Sequence, residues 1–344
     1  MSALFNNNYE FYFMIKRLSF VFIVFCLFSF EGKAQNAQVM RNYETQINQQ
    51  MELVYNAVTD NRRYLASETA TQLFEEALDV EKSIDWNWNL GNRVSVLTSP
   101  DKRLRVITWR VIKDNGEYEC FGLVQSYNEE EERYDVYELN DKSDEIVNME
   151  ESTLGPSTWI GSVYQKLIQT RYDGHTYYTL LGWTGVDALT QRKVIEPICF
   201  KSNSSRPIFG QPLFKRDRNR RRIVLEYSTT AMVNLRYEEQ YMRTVERKRV
   251  KVKGSKKTTW SQENHDEKCE MIIFDEVTPQ IPGMDGLFQY YVPSGVELSY
   301  VWNEGKWELK NNAQGRVSDE RLNKEFAPVE KQQPSYKFER KKKR

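Results

Sequence analysis

From Trp86 onward the chain is punctuated by tight-turn signals, and these constrain its fold more than any other feature. Ser99-Pro100-Asp101-Lys102 places proline where its fixed φ suits a type I turn. Asp114-Asn115-Gly116 and Asp173-Gly174 are two-residue hairpin signals, and Asn303-Glu304-Gly305 turns a further pair. Apolar runs of strand length lie between them: Val94–Val96, Leu104–Trp109, Tyr118–Val124 and 133–139, then Val163–Arg171, Thr176–Trp183 and Val194–Lys201. Arg222–Ser228, Met232–Tyr241, Cys269–Phe274, Phe288–Val292, Val296–Trp302 and Lys306–Leu309 complete the set. Short strands joined by hairpins specify antiparallel sheets, not βαβ units. The expected fold is mainly β, an antiparallel meander, sandwich, barrel or incomplete propeller over 85–313. Pro207–Phe214 carries two prolines and belongs on a sheet edge or at a bend.

The region before it obeys a different period. Met40, Tyr43, Ile47, Met51, Val54 and Val58 recur at spacings of three and four, and Ala70, Leu73, Phe74, Ala77 and Leu78 form a second stripe. An α-helical hairpin over 35–84 follows, with Ser67 as the expected N-cap of its second helix.

Met14-Ile15-Lys16-Arg17 precedes an apolar run, Leu18–Phe30, and Glu31-Gly32-Lys33-Ala34 offers small residues for cleavage before Gln35. This layout is that of a secretory signal peptide over 1–34 with its apolar core at 18–30. The run is shorter than the roughly 20 residues of a spanning helix, so no membrane span is expected after cleavage. Export would carry the protein to an oxidising space that permits disulfides. Cys120, Cys199 and Cys269 would remain, each within or beside an apolar run. They read as buried thiols, with a bridge between two of them as the alternative.

Lysine plus arginine balance aspartate plus glutamate at 49 each, so no global field favours nucleic acid, and none is expected as a partner. The charge is nevertheless segregated. Residues 129–151 are acidic; 215–222, 243–257 and 337–344 are basic. Residues 242–268 read as an elongated hairpin or loop inserted into the β domain, and 314–344 as a disordered charged tail. Arg247, Lys248, Arg249, Lys251 and Lys253 are the candidate interaction surface. The plainer reading of these cations is a solvated loop kept soluble by charge.

Catalytic motifs are absent. Ser99-x-x-Lys102 has the spacing of a serine–lysine nucleophile pair, but that chemistry needs a helix start, and Ser99 falls in a turn. His175 lies at a hairpin tip; His265 stands near Asp266, Glu267 and Cys269 without four ligands at useful spacing. No catalytic, cofactor-binding or metal-binding residues are assigned and no cofactor is expected. A carboxylate pair for glycan hydrolysis needs no sequence motif and stays open. Trp109, Trp159, Trp183, Trp302 and Trp307 sit in or beside strands and should mostly enter the core.

Tyr177-Tyr178-Thr179-Leu180-Leu181-Gly182-Trp183, Pro207-Ile208-Phe209-Gly210 and Ile223-Val224-Leu225-Glu226-Tyr227-Ser228 resemble an uncharacterised exported protein family of Bacteroidota, and Gly32-Lys33-Ala34-Gln35 is similar to signal ends in that phylum. The resemblance implies a cell-envelope location, periplasmic or outer-membrane-associated, and no activity. The expected function is non-catalytic binding or scaffolding through protein–protein or surface contacts, with an envelope protein or a glycan as partner. The alternatives are a glycan or peptidoglycan hydrolase and a glycan-binding module.

Overall fold

The computed structural model describes residues 35–201, 204–251 and 258–310. The signal-like segment, the tail 314–344 and Lys253 lie outside the described residues. Helix α1 (35–56) and helix α2 (Asp60–Asp79) form the expected hairpin. Met40, Ile47, Met51 and Val54 of α1 and Ala66, Ala70, Phe74, Ala77 and Leu78 of α2 are buried. Val58 departs from the expected stripe and is 83% exposed, because α1 ends two residues before it.

Ser67 is not a cap. Thr59 holds the N-cap position with extended backbone, and Ser67 is buried a further two turns along. Its hydroxyl accepts a hydrogen bond from Trp109 Nε1 at 2.8 Å, so the serine serves a buried indole that would otherwise lack a partner. The exposed first turns of α2, including Arg62 and Leu65, break the apolar periodicity, which is why the helix start is hidden in the sequence.

The strands form three successive antiparallel sheets. Sheet 1 runs in the order β1 (Ser95–Thr98), β2 (Leu104–Ile112), β3 (Tyr118–Asn128), β4 (Arg133–Asn140), with the acidic Glu129–Glu132 in its last turn. Sheet 2 contains β5 (Val163–Tyr172), β6 (His175–Gly185), β7 (Thr190–Phe200), β8 (Pro207–Phe209) and β9 (Ile223–Ser228). Asp173 and Gly174 both take positive φ, 48° and 75°, as the tight β5–β6 turn requires. β8 and β9 share the outer edge of β7, β9 along Thr190–Ile195 and β8 along Ile198–Phe200, so the proline-bearing segment does lie at an edge.

Sheet 3 is β10 (Leu235–Lys251), β11 (Thr258–Pro279), β12 (Tyr291–Asn303) and β13 (Lys306–Lys310). The expected strand at 288–292 is instead a 3-10 turn, Phe288–Tyr290, leading into β12. The expected strand from Met232 begins only at Leu235, and Met232 is fully in solvent.

Side-chain packing orders these elements into layers. Ile107, Trp109, Val111 and Leu123 of sheet 1 pack on the helices. The opposite face, with Leu104, Val106, Val124 and Leu139, meets Tyr164, Tyr178, Leu180, Val194 and Ile198 of sheet 2. The far face of sheet 2, with Ile195, Leu225 and Tyr227, meets Ile272, Phe274, Tyr300 and Trp307 of sheet 3. Strands covered on both faces read as continuous apolar runs, and β2 and the middle of β6 and β7 are buried almost throughout. Each sheet has two free edges in its strand order, so the described strands do not close into a barrel. No helix among the described residues is long and apolar enough to cross a membrane.

Candidate functional site

Three places carry concentrated polar chemistry: a projecting arm of sheet 3 and two clefts at opposite ends of the packing between sheets 1 and 2.

The basic segment expected as an insert is the continuation of β10 and β11. Their register runs unbroken from Leu235↔Phe274 to Lys251↔Thr258. The third strand, β12, pairs with β11 only from Met271 onward. The thirteen pairs from Glu239↔Glu270 to Lys251↔Thr258 therefore form a two-stranded ribbon. At about 3.3 Å per residue it reaches on the order of 40 Å. Such a ribbon is marginally stable by itself and gains from cross-strand side-chain pairs. Two directly opposed pairs do this: Lys268 sits over the Tyr241 ring at 5.5 Å, and Arg249 over the Trp260 ring at 5.0 Å. Lys268 also pairs with Glu239 at 2.8 Å.

The structure brings most of the candidate residues to this ribbon. Arg247, Lys248 and Arg249 hold consecutive ladder positions opposite Gln262, Ser261 and Trp260, and Lys251 follows after Val250, opposite Thr258. Lys248 and Arg249 are exposed. Sequence reasoning overlooked Trp260, which is 60% exposed. Its signal was available: it is the one aromatic residue in 247–262, a stretch with seven Lys and Arg and no Asp or Glu.

The first cleft, about 490 Å³, lies where the β2–β3 turn, the segment after β4 and the β6–β7 turn converge. Asp141 is its central carboxylate. It accepts hydrogen bonds from the backbone N–H of Cys120 at 3.0 Å and of Ser143 at 3.1 Å. Gly161, at φ 61°, presses against this carboxylate where any Cβ would collide. Burial raises the Asp141 pKa, and the negative charge of Glu119 adds to that. Asp187, lining the same cleft, behaves oppositely. Burial pushes it up, but hydrogen bonds from the N–H of Leu189 (2.7 Å) and Thr190 (2.8 Å) and from the Thr190 hydroxyl (3.1 Å) bring it below the usual range. One carboxyl tuned toward holding a proton and one held ionised are the components of acid–base chemistry.

The second cleft, about 440 Å³, is lined by Tyr127, Tyr178, Phe200, Arg103 and His175. Tyr178 donates to Asp101 at 2.7 Å and meets Phe200 edge-on, while Arg103 lies 5.4 Å over the Tyr127 ring. Tyr178 is 4% exposed, so the rings partly open to this cleft are Tyr127 and Phe200; rings beside polar groups suit a sugar face.

Between the clefts lies a fully buried charge network. Arg222 donates to Glu196 at 2.7 Å, to the carbonyls of Ser152 (2.8 Å) and Phe209 (3.2 Å) and to that of Met149. Glu196 also accepts from the Tyr164 hydroxyl, which in turn accepts from Trp159 Nε1 at 2.8 Å. Both charged side chains are 0% exposed, so this network is out of reach of any substrate; it anchors the segment after β4 onto sheet 2.

The remaining motif residues separate as follows. Ser99 sits in the β1–β2 turn, donating to Asp101 at 2.6 Å, and Lys102 pairs with Asp85, so no nucleophile pair forms. His175 is the first residue of β6, exposed, with Nδ1 2.8 Å from the Asp173 carbonyl. No cluster of potential metal ligands occurs among the described residues. Cys120, Cys199 and Cys269 are unbridged. Burial pushes the Cys120 thiol up to about 12 and the Cys199 thiol up to about 11, which makes both inert. Trp109, Trp159 and Trp307 are fully buried, as expected of strand tryptophans, whereas Trp183 and Trp302 are half-buried.

Comparison with known proteins finds no matching family model, no matching curated protein and no matching solved structure.

Proposed function

We propose that this is an exported cell-envelope protein that works by binding, not catalysis, and that the β10–β11 arm is its recognition element. The observation that carries this reading is the two-stranded ribbon extending past the last β12 partner with exposed Arg249 and Trp260 near its end. Among the described residues the ribbon meets the packed layers at its base, where Met242 and Cys269 pack on Met271, Ile273 and Val301; beyond that its two open edges are a liability unless charge or a partner covers them. The signal-like segment supports the envelope location.

The test is affinity capture from a detergent-solubilised envelope extract, with the intact chain and with a variant in which the ribbon is cut back to its base. The intact chain is expected to retain a partner that the shortened variant loses. Failure of the intact chain to retain any protein, glycan or envelope lipid, or identical capture by both chains, overturns the reading. Amino-terminal sequencing of envelope material starting at Gln35 would support export; an intact N-terminus on cytosolic material overturns it.

A second reading, a glycan or peptidoglycan hydrolase, is favoured by the opposed tuning of Asp141 and Asp187 in one cleft. It requires that the wild-type chain release soluble sugar from peptidoglycan and that Asp141→Asn abolish the release. The aromatic cleft supports glycan binding instead if oligosaccharides raise the melting temperature and Tyr127→Ala removes the shift.

A further inference from the structure

We infer that the end of the β10–β11 arm docks on an anionic lipid bilayer. This rests on the arm being the recognition element and names its partner. The first argument is charge. The described end of the arm, 247–251 and 258–262, holds four Lys and Arg and no Asp or Glu, whereas the whole chain holds 49 of each kind. Everything outside these ten residues therefore carries four more acids than bases. A body of that sign is repelled by an anionic surface. A stalk on the order of 40 Å holds it several Debye lengths away, since that length is about 8 Å at physiological salt.

The second argument is the apolar surface among the cations. Trp260 is 60% exposed and Val250 40% exposed on the opposite face of the ribbon. Cations alone would keep a bare ribbon soluble. A tryptophan and a valine left in water add nothing to that role, whereas the headgroup layer accepts both a ring and its neighbouring cations. Arg249, stacked on the Trp260 ring, would carry its guanidinium to phosphate depth together with the indole.

The third argument is shape. A two-stranded ribbon encloses no cavity for a small ligand. Its described end carries cations and one exposed indole but no apolar patch of the kind that forms the core of a protein interface. A fluid bilayer demands neither.

The chain from Gln35 onward contains every described element and lacks the apolar 18–30 run, which would itself seek lipid. It should co-sediment with vesicles containing phosphatidylglycerol, not with phosphatidylcholine vesicles, and dissociate in high salt. Affinity should fall about fivefold for each arm cation neutralised, and by a hundredfold or more, in order of magnitude, in Lys248→Glu/Arg249→Glu/Lys251→Glu. Trp260→Phe should remove a blue shift of fluorescence that vesicles induce in the wild type. Changing Arg340, Lys341, Lys342, Lys343 and Arg344 to serine should leave binding largely intact. Circular dichroism and melting curves confirm that each variant is folded.

Equal binding to neutral vesicles overturns the inference, as does binding that depends on the tail cations and not on the arm. Arm-dependent self-association without vesicles overturns it too, in favour of the acidic surface of a second copy. If vesicle binding fails while arm-dependent capture of a protein from detergent persists, the lipid assignment falls and the binding reading stands. If both fail, both fall.

Discussion

Sheet 2 and the β10–β11 arm are built from the same unit, a long antiparallel hairpin, yet they place charge in opposite positions. β6 and β7 are covered on both faces, and the charges there, Glu196 on β7 and Arg222 just before β9, have 0% exposure and bond to each other, Arg222 also to backbone carbonyls. The arm has no third strand, and its Lys248, Arg249 and Lys268 are exposed. In sheet 2 a charge serves position: it fixes the segment after β4, and with it the walls of the Asp141 cleft. In the arm a charge serves contact. Cover, not hairpin propensity, separates a structural strand pair from one free to meet a partner.

Breaking the buried side of this contrast should cost most. Arg222→Met leaves the Glu196 carboxylate buried with Tyr164 as its remaining partner, and is expected to lower stability by about 3–5 kcal/mol in urea denaturation. Arg222→Met/Glu196→Leu should recover much of that loss, because no unpaired charge remains; if the double variant is no better than the single, the network is not an ion-pair staple.

Gly210 tests the same anchor from the backbone. Its φ is 86°, and a Cβ there would sit 2.6 Å from Arg222 Nη2 and 2.9 Å from the Ser152 carbonyl oxygen. Gly210→Ala should cost about 1–3 kcal/mol, read as a lower urea midpoint at unchanged slope.

Charge at the base of sheet 3 should matter less, and through pH. Hydrogen bonds from Asn303, Lys310 and Lys215 pull the Glu308 carboxyl down to about 2, against an unfolded value near 4.5. A carboxylate with a lowered folded pKa stabilises above its unfolded pKa and loses that contribution as pH falls toward the folded one. Stability should therefore decline between about pH 4.5 and 2, by about 1 kcal/mol or less from this partly exposed group, and Glu308→Gln should flatten the decline.

The smallest effect belongs to the arm. Trp260→Ala should change unfolding stability by no more than about 0.5 kcal/mol while weakening vesicle binding. A large stability loss there would mean that the indole is part of the fold, and the contrast between the two regions would collapse.

Local pattern made much of this architecture legible. Asp173-Gly174 demanded two consecutive positive-φ residues, and the chain takes them; the prolines of 207–214 excluded an interior strand, and β8 lies at an edge. The α1 stripe was readable until the helix ended. Ser67 was misread because its partner, the Trp109 indole, is 42 residues away in sequence and only packing brings it there. The basic segment reads as an elongated hairpin or a loop, and not as the end of sheet 3, since its polar strands carry no one-sided apolar alternation to mark them.

What the sequence determined by itself was local: turn geometry, helical and strand periods, and the segregation of charge, each set by neighbours a few residues apart. What tertiary structure alone decided was the stacking of three sheets, the pairing of Arg222 with Glu196, the meeting of Asp141 and Asp187 in one cleft, and the exposure of Trp260. These depend on which surfaces are left uncovered once the layers have packed, and no single stretch of residues carries that information.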